Sequence, residues 1–125
     1  MATVEMTVQN FEELVSANDV VFIDFWAAWC GPCRSFAPVY DKISTQHPEV
    51  VFGKVDTEAQ QELAANFNIM SIPTLMIIRE GVVLFSQAGA LPEKALADLV
   101  VQALKIDMVE VHRQLAESNA GADTK

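Results

Sequence analysis

Residues 20–34 read VVFIDFWAAWCGPCR, an apolar run that leads into two cysteines spaced three apart. Within it, Val20–Trp26 is interrupted by a charge only at Asp24, and such a run predicts a strand buried on both faces. From about residue 33 to residue 46, apolar side chains recur at helical spacing, as at Phe36, Tyr40 and Ile43. The sequence therefore predicts a strand followed directly by a helix, with both cysteines at the junction.

The segments on either side of this junction predict a single α/β domain. Strands connected through helices pair in parallel, whereas a hairpin adds an antiparallel pair. We therefore expect a central mixed, mostly parallel sheet with helices on both faces and a C-terminal β-hairpin plus helix. The predicted elements are a short strand at 4–7, a helix at 10–17, a strand at 50–55, a helix at 58–66, hairpin strands at 74–78 and 82–87, and a closing helix that Pro92 opens.

Composition and charge exclude several classes of protein. The chain of 125 residues is 51% hydrophobic, which is enough for a packed core. Its net charge of −9 and its lack of a basic cluster disfavour nucleic-acid binding, and no apolar run is long enough to predict a membrane span. The first nine residues contain Glu5 but no Lys or Arg, unlike a signal peptide, so we expect a cytoplasmic location.

The position of the two cysteines predicts redox chemistry. Two cysteines cannot build a disulfide framework, and in a reducing compartment a close pair is more often catalytic or metal-binding than structural. A helix N-terminus stabilises a thiolate, which is the form that attacks disulfides. We therefore assign Cys30 as the nucleophile and Cys33, one helical turn further on, as the resolving thiol, with Pro32 favouring the first turn.

A zinc site is the alternative that the spacing leaves open. Zinc would need two further soft ligands, and the chain has no other cysteine. His47 and His112 lie far apart along the chain, so we expect no metal. The methionines are expected to fill the core rather than to bind a metal: Met6, Met70, Met76 and Met108.

The residues around the cysteines resemble the signature of the thioredoxin family. The match covers residues 25–34, which read FWAAWCGPCR, and Ala37-Pro38 follows at the family's spacing. A second motif, Ser71-Ile72-Pro73-Thr74, stands where the family carries a cis-proline facing the dithiol. Asp24, Lys54 and Gly89 fall where the family has a buried acid, its lysine neighbour and a glycine of the substrate groove. The resemblance extends over residues 5–105 and implies the thioredoxin fold.

The resemblance also implies roles for these residues. Asp24 would accept the proton of the Cys33 thiol, with Lys54 tuning it, and desolvation should raise the pKa of the Asp24 carboxyl group. The alternative is an Asp24 bonded to backbone groups with no catalytic duty. A cis Pro73 would bring the Ile72 backbone beside the cysteines, whereas a trans proline could simply begin the next strand. The expected substrate-binding residues are Trp29, Gly31, Pro32, Ile72, Pro73 and Gly89.

The expected function is the reduction of disulfides in substrate proteins through Cys30 and Cys33. The resemblance implies re-reduction by an NADPH-dependent flavoprotein reductase, with no cofactor bound to the chain itself. The alternative is a binding or assembly module, similar to a co-chaperone, in which the thiols are idle and the last helix docks on a partner.

The last helix is expected to extend beyond the redox domain. Apolar residues recur at three- or four-residue steps to Leu115, which predicts one continuous helix over residues 93–118. We therefore divide the chain into a domain at 1–105, a helical extension at 106–118 and a flexible tail at 119–125. Met108, Val111 and Leu115 would form an apolar stripe that packs on a second copy or a partner. The alternative is a helix that bends back or frays near Lys105.

Overall fold

The computed structural model describes residues 2–123, and the chain alternates between strands and helices through most of its length. The elements are β1 (Thr3–Glu5), α1 (Phe11–Ala17), β2 (Val20–Trp26), α2 (Gly31–Gln46), β3 (Val51–Asp56), α3 (Gln61–Asn66), β4 (Thr74–Arg79), β5 (Val82–Ala88), α4 (Glu93–Lys105) and α5 (Met108–Asp123). The bounds of β2 agree with the predicted strand, whereas α3 is shorter than predicted because residues 57–59 form a turn and Gln60 caps the helix.

The strands form one five-stranded sheet in the order β1-β3-β2-β4-β5. β3 pairs in parallel with β1 and β2, while β4 pairs antiparallel with both β2 and β5. The predicted mixed sheet is confirmed, although its parallel and antiparallel pairs are equal in number, two of each, because β4 runs antiparallel to both of its neighbours. Because β2 is the central strand, the residues that follow it lie at the C-terminal end of that strand, midway across the sheet.

The core lies on both faces of β2, as its apolar run predicts. On one face, Phe22 packs in a cluster with Phe36 and Tyr40 of α2 and with residues of α4. On the other face, Ile23 and Phe25 pack with residues of α1 and α3. The side chain of Asp24 points to the first of these faces, since side chains alternate along a strand.

The β4–β5 hairpin closes the sheet as predicted. Its two-residue turn consists of Glu80 and Gly81, which have φ angles of 51° and 78°. Positive φ at both positions is typical of the tight hairpin turns that match the twist of the strands, and it favours Gly at the second position.

The prediction of one helix over residues 93–118 is wrong. α4 ends at Lys105, Ile106 is extended, and α5 begins at Met108. Asp107 starts the second helix, because its Oδ1 accepts a hydrogen bond of 3.2 Å from the backbone N–H of Glu110, as an N-cap does. The alternative of a break near Lys105 describes the structure. α5 then continues to Asp123, so residues 119–123, which were predicted to lie in a tail, are helical; the last two residues of that tail lie outside the described part of the chain.

The two helices on either side of this break remain attached to the sheet. Arg79 of β4 donates hydrogen bonds to the carbonyl oxygens of Ala103 at 2.9 Å and Ile106 at 2.7 Å. Met108 is buried, and His112 Nε2 lies 2.8 Å from Glu80 Oε1. Part of the apolar stripe thus packs within its own chain, which weakens the reason for expecting a second copy there. Among residues 2–123, no helix is long and apolar enough to span a membrane.

Candidate active site

The two cysteines lie where β2 gives way to α2, as predicted. They form a disulfide, with their Cα atoms 5.2 Å apart. Cys30 is the N-cap of α2, Gly31 and Pro32 begin the helix, and the backbone N–H of Cys33 donates to Cys30 Sγ at 3.2 Å. The sulfur of Cys30 therefore receives one of the N–H groups that a helix N-terminus leaves without a backbone partner.

A loop before β4 approaches the disulfide from the other side. The Ile72–Pro73 peptide bond is cis, as the resemblance implied, and the carbonyl oxygen of Ile72 lies 3.7 Å from Cys30 Sγ. Gly89, which follows β5, donates its N–H to the carbonyl oxygen of Pro73 at 2.8 Å, with a φ of 112° that favours glycine. The fold thus brings together Cys30, Ile72, Pro73 and Gly89 from three separate segments.

Trp29 stands beside the disulfide with 67% of its surface exposed. Its indole N–H donates to Glu58 Oε1 at 3.1 Å. The ring borders an open cavity of about 190 Å³, whose lining is mainly apolar: Trp29, Thr57, Ala64, Ile69, Met70, Ser71 and Ile72. No sequence pattern predicts Glu58 at this site, because its contact depends on the turn between β3 and α3.

Met70 corrects one expectation from the sequence. It was expected in the core, yet 92% of its surface is exposed at the cavity, whereas Met6, Met76 and Met108 are buried as expected. The motif Met70-Ser71-Ile72-Pro73 follows α3 as an irregular loop, so helical or strand periodicity cannot assign a face to this side chain.

Asp24 lies beneath this surface within the central strand, with none of its surface exposed. Neither carboxylate oxygen has a hydrogen-bond partner among the described residues, so the alternative of an Asp24 bonded to backbone groups is wrong. Burial raises the pKa of its carboxyl group from 3.8 to about 7, and the charge of Lys54 opposes this rise only in part. A titratable group of this kind can exchange a proton near neutral pH.

Lys54 is placed opposite Asp24 on the neighbouring strand, as the pairing of β2 with β3 shows. Its Nζ lies 5.1 Å from the centre of the Trp26 ring. Tyr40 of α2 donates its hydroxyl to the carbonyl oxygen of Gly53 at 2.8 Å, and burial together with the nearby charge of Asp24 raises the pKa of Tyr40 well above its ordinary value. Asp24 therefore has a cation and a phenol as ionisable neighbours.

The described residues contain no group of three or more His, Cys, Asp or Glu side chains arranged to hold a metal ion. The two histidines of the chain have separate acidic neighbours: His47 lies near Glu49, and His112 lies near Glu80. The structure does not bring either histidine to the cysteines.

Comparison with known proteins identifies the family. The thioredoxin family model matches residues 2–102, which is most of the chain. The chain belongs to the thioredoxin family. It is 59% identical over 121 residues to a putative thioredoxin 2 of Streptomyces coelicolor, an alignment that covers 97% of this chain and 90% of that protein. It is 40% identical over 101 residues to a thioredoxin of Bacillus subtilis, with 80% and 96% covered.

Solved structures agree with this family assignment. A mutant thioredoxin from Halobacterium salinarum matches with a TM-score of 0.78 and 29% identity, over 84% of this chain and 93% of that one. Plasmodium falciparum thioredoxin matches with a TM-score of 0.73 and 34% identity, over 78% and 96%. The predicted thioredoxin fold is confirmed.

The family and the cysteine pair together establish the type of activity. A thioredoxin that carries the Cys30–Cys33 pair is a dithiol–disulfide oxidoreductase with protein-disulfide reductase activity. This favours the redox function over the alternative of a binding module with idle thiols. Membership in the family implies disulfide-containing substrate proteins and a thioredoxin reductase as partner.

Proposed function

We propose that Cys30 is the nucleophile and Cys33 the resolving thiol in the reduction of protein disulfides. The Cys30 thiolate attacks one sulfur of the substrate disulfide, and the other substrate sulfur leaves as a thiolate. The Cys33 thiolate then attacks Cys30 Sγ, so the substrate departs as a dithiol and this chain keeps the disulfide. The observation that carries the assignment is the hydrogen bond from Cys33 N–H to Cys30 Sγ, since such a donor stabilises a thiolate on Cys30.

Asp24 is the proposed proton acceptor for the Cys33 thiol, with Lys54 tuning it. Its support is a buried carboxyl group without a hydrogen-bond partner in the described chain, whose pKa of about 7 suits proton exchange at neutral pH. Asp24 also lies on the face of β2 that α2 covers, and α2 carries Cys33. Its role is to hold the proton while Cys33 attacks Cys30, and not to contact the substrate.

The proposed substrate surface surrounds the disulfide. Gly31 and Pro32 form its helical side and Trp29 its outer edge, while Ile72, Pro73 and Gly89 form the opposite side. We propose that an extended substrate segment pairs with the Ile72 backbone by adding a strand. The 3.7 Å between Ile72 O and Cys30 Sγ supports this, because a segment held there would present its disulfide to Cys30.

The proposed electron donor is an NADPH-dependent flavoprotein reductase, and the proposed location is the cytoplasm. The Gly-Pro pair between the cysteines resembles that of reducing members of the family. We propose that residues 1–105 form the redox domain and that residues 106–123 form an extension attached to it. A weak homo-oligomer through α5 gains no support, since Met108 packs within its own chain.

Reduction of insulin by dithiothreitol tests the proposed function. Wild-type protein should accelerate the precipitation of the reduced insulin B chain, and Cys30→Ser should abolish this acceleration. Cys33→Ser is the matched comparison: it should also lose the acceleration, because it cannot release the substrate, but it should accumulate a mixed disulfide through Cys30 that Cys30→Ser does not form. A wild type that leaves the rate unchanged would refute the proposed function.

A further inference from the structure

The exposed methionine beside the disulfide suggests a site of modification. We infer that Met70 is oxidised to its sulfoxide by hydrogen peroxide, and that the sulfoxide weakens the binding of protein partners at the Cys30–Cys33 disulfide. This inference rests on the proposed function only in its second half, because the oxidation itself requires no partner.

The methionine side chains differ widely in their accessibility to solvent. Met70 is 92% exposed, whereas Met6, Met76 and Met108 are 0%, 2% and 6% exposed. Peroxide must reach the thioether sulfur to oxidise it, so exposure governs which methionine reacts first. Among the methionines that the structure describes, Met70 should therefore react well before the other three.

The oxygen added to Met70 would lie at the cavity beside the disulfide. Met70 lines the same cavity as Trp29 and Ile72, and the carbonyl of Ile72 lies 3.7 Å from Cys30 Sγ. A thioether is apolar and adaptable and suits a surface that accepts varied partners, whereas a sulfoxide is polar and a strong acceptor. A partner that covers this cavity would have to bury the sulfoxide oxygen without its water, which costs binding free energy.

The oxidation of Met70 by hydrogen peroxide requires no cofactor. The thioether sulfur attacks one peroxide oxygen, the O–O bond breaks, a sulfur–oxygen bond forms, and the second oxygen leaves as water. The sulfur loses two electrons to the peroxide. Methionine sulfoxide reductases that use a dithiol reverse the step, releasing the oxygen as water, so the modification is reversible.

Peptide mapping after peroxide treatment tests the first half of the inference. The protein is used in its disulfide form, which protects both cysteines. Samples taken at increasing times are digested, and the peptide masses are measured by mass spectrometry. The peptide containing Met70 should gain one oxygen atom before the peptides containing Met6, Met76 or Met108. Oxidation of Met70 no faster than that of Met108 would overturn the inference.

Insulin reduction after removal of the peroxide tests the second half. Treated wild type should show a KM raised about twofold to tenfold with little change in kcat, the range expected for the loss of one methionine contact. Met70→Leu cannot be oxidised at this position, so its own KM should be the same before and after treatment, whereas Met108→Leu should respond as the wild type does. A sulfoxide reductase should restore the KM of the treated wild type.

Two results separate this inference from the proposed function. An untreated wild type that leaves insulin intact would refute the proposed function, and with it the claim about partner binding. A rise in KM that persists in treated Met70→Leu would overturn the inference and leave the proposed function standing.

Discussion

Replacing Asp24 by asparagine removes the buried carboxyl group while nearly preserving its shape. The folded protein holds this carboxyl group with a pKa of about 7, against an ordinary value of 3.8 that applies to the unfolded chain. The interval between these values corresponds to about 4 kcal/mol. We expect Asp24→Asn to be more stable than the wild type above pH 7 by up to this amount, and to differ little from it near pH 4.

The stability of the wild type falls as the pH rises because the folded and unfolded states bind different numbers of protons. Below pH 3.8 both states of the wild type hold the proton, so ionisation of Asp24 costs nothing. Between pH 3.8 and about 7 the unfolded chain releases a proton that the folded chain retains, so the free energy of unfolding falls as the pH rises. Above pH 7 the folded protein carries a buried charge at full cost. Asparagine does not ionise, and its amide replaces a protonated carboxyl group of similar polarity.

Urea denaturation of the disulfide form at pH 5, 6, 7 and 8 measures this difference. Asp98→Asn is the matched control, because Asp98 is exposed near Lys94 and its loss should change the stability by less than about 0.5 kcal/mol at every pH. If the difference in free energy of unfolding between wild type and Asp24→Asn did not grow as the pH rises, the raised pKa of Asp24 would be refuted. Such a result would mean that the folded protein ionises Asp24 as easily as the unfolded chain does.

Three further changes test the packing that holds the fold together. Arg79→Met should lower the free energy of unfolding by about 2 kcal/mol in urea, because it removes charged hydrogen bonds to the carbonyls of Ala103 and Ile106; unchanged stability would contradict the bonding seen. Gly53→Ala should lower the free energy of unfolding by about 1–3 kcal/mol, because the added Cβ would overlap the side chain of Met6. The same substitution in a Met6→Ala background should lower it much less, because the overlapping side chain is gone. Removing residues 106–125 should lower the free energy of unfolding by about 2 kcal/mol, because the burial of Met108 is lost. Insulin reduction should stay unchanged, because α5 contacts Glu80, which lies at the opposite end of β4 from Pro73, and a loss of activity would contradict this.

The strand-to-helix junction could be predicted because its signals are local. The apolar run of β2 needs burial on both faces, and the cysteines that follow it begin a helix with Pro32 in its first turn. The β4–β5 hairpin was equally local, since Gly81 marks the turn. These elements place the two cysteines without any tertiary information.

The end of α4 is where periodicity led to a wrong prediction. Apolar residues continue at helical spacing past Lys105, but Asp107 competes with the helix by capping the next one. Glu110 stands three residues after Asp107, a spacing typical of a capping box, so the sequence carried a signal that periodicity outweighed. Arg79 stabilises the break through the carbonyls of Ala103 in α4 and of Ile106 just after it, and such a contact between distant segments cannot be inferred from residue spacing.

The surroundings of the disulfide were predictable only through the family resemblance. The cis bond at Pro73 lies in an irregular loop, and no local pattern specifies it. The contact between Gly89 and Pro73 continues the pairing of β4 with β5 beyond Thr74 and Ala88, in a register that is shifted near Ile77 and that residue spacing does not reveal. The exposure of Met70 was missed for the same reason, because loop residues have no periodicity that assigns them to the core or to the surface.

Trapping the mixed disulfide shows which of the two cysteines attacks the substrate first. Cys33→Ser and Cys30→Ser are each reduced and mixed with a disulfide-containing peptide. Mass spectrometry of the intact protein then detects the adduct, and mass spectrometry after digestion shows which cysteine carries it. We expect a stable adduct on Cys30 in Cys33→Ser, formed much faster than any adduct of Cys30→Ser. An adduct that forms on Cys33 in Cys30→Ser as fast as the one on Cys30 would contradict the assignment of Cys30 as the nucleophile.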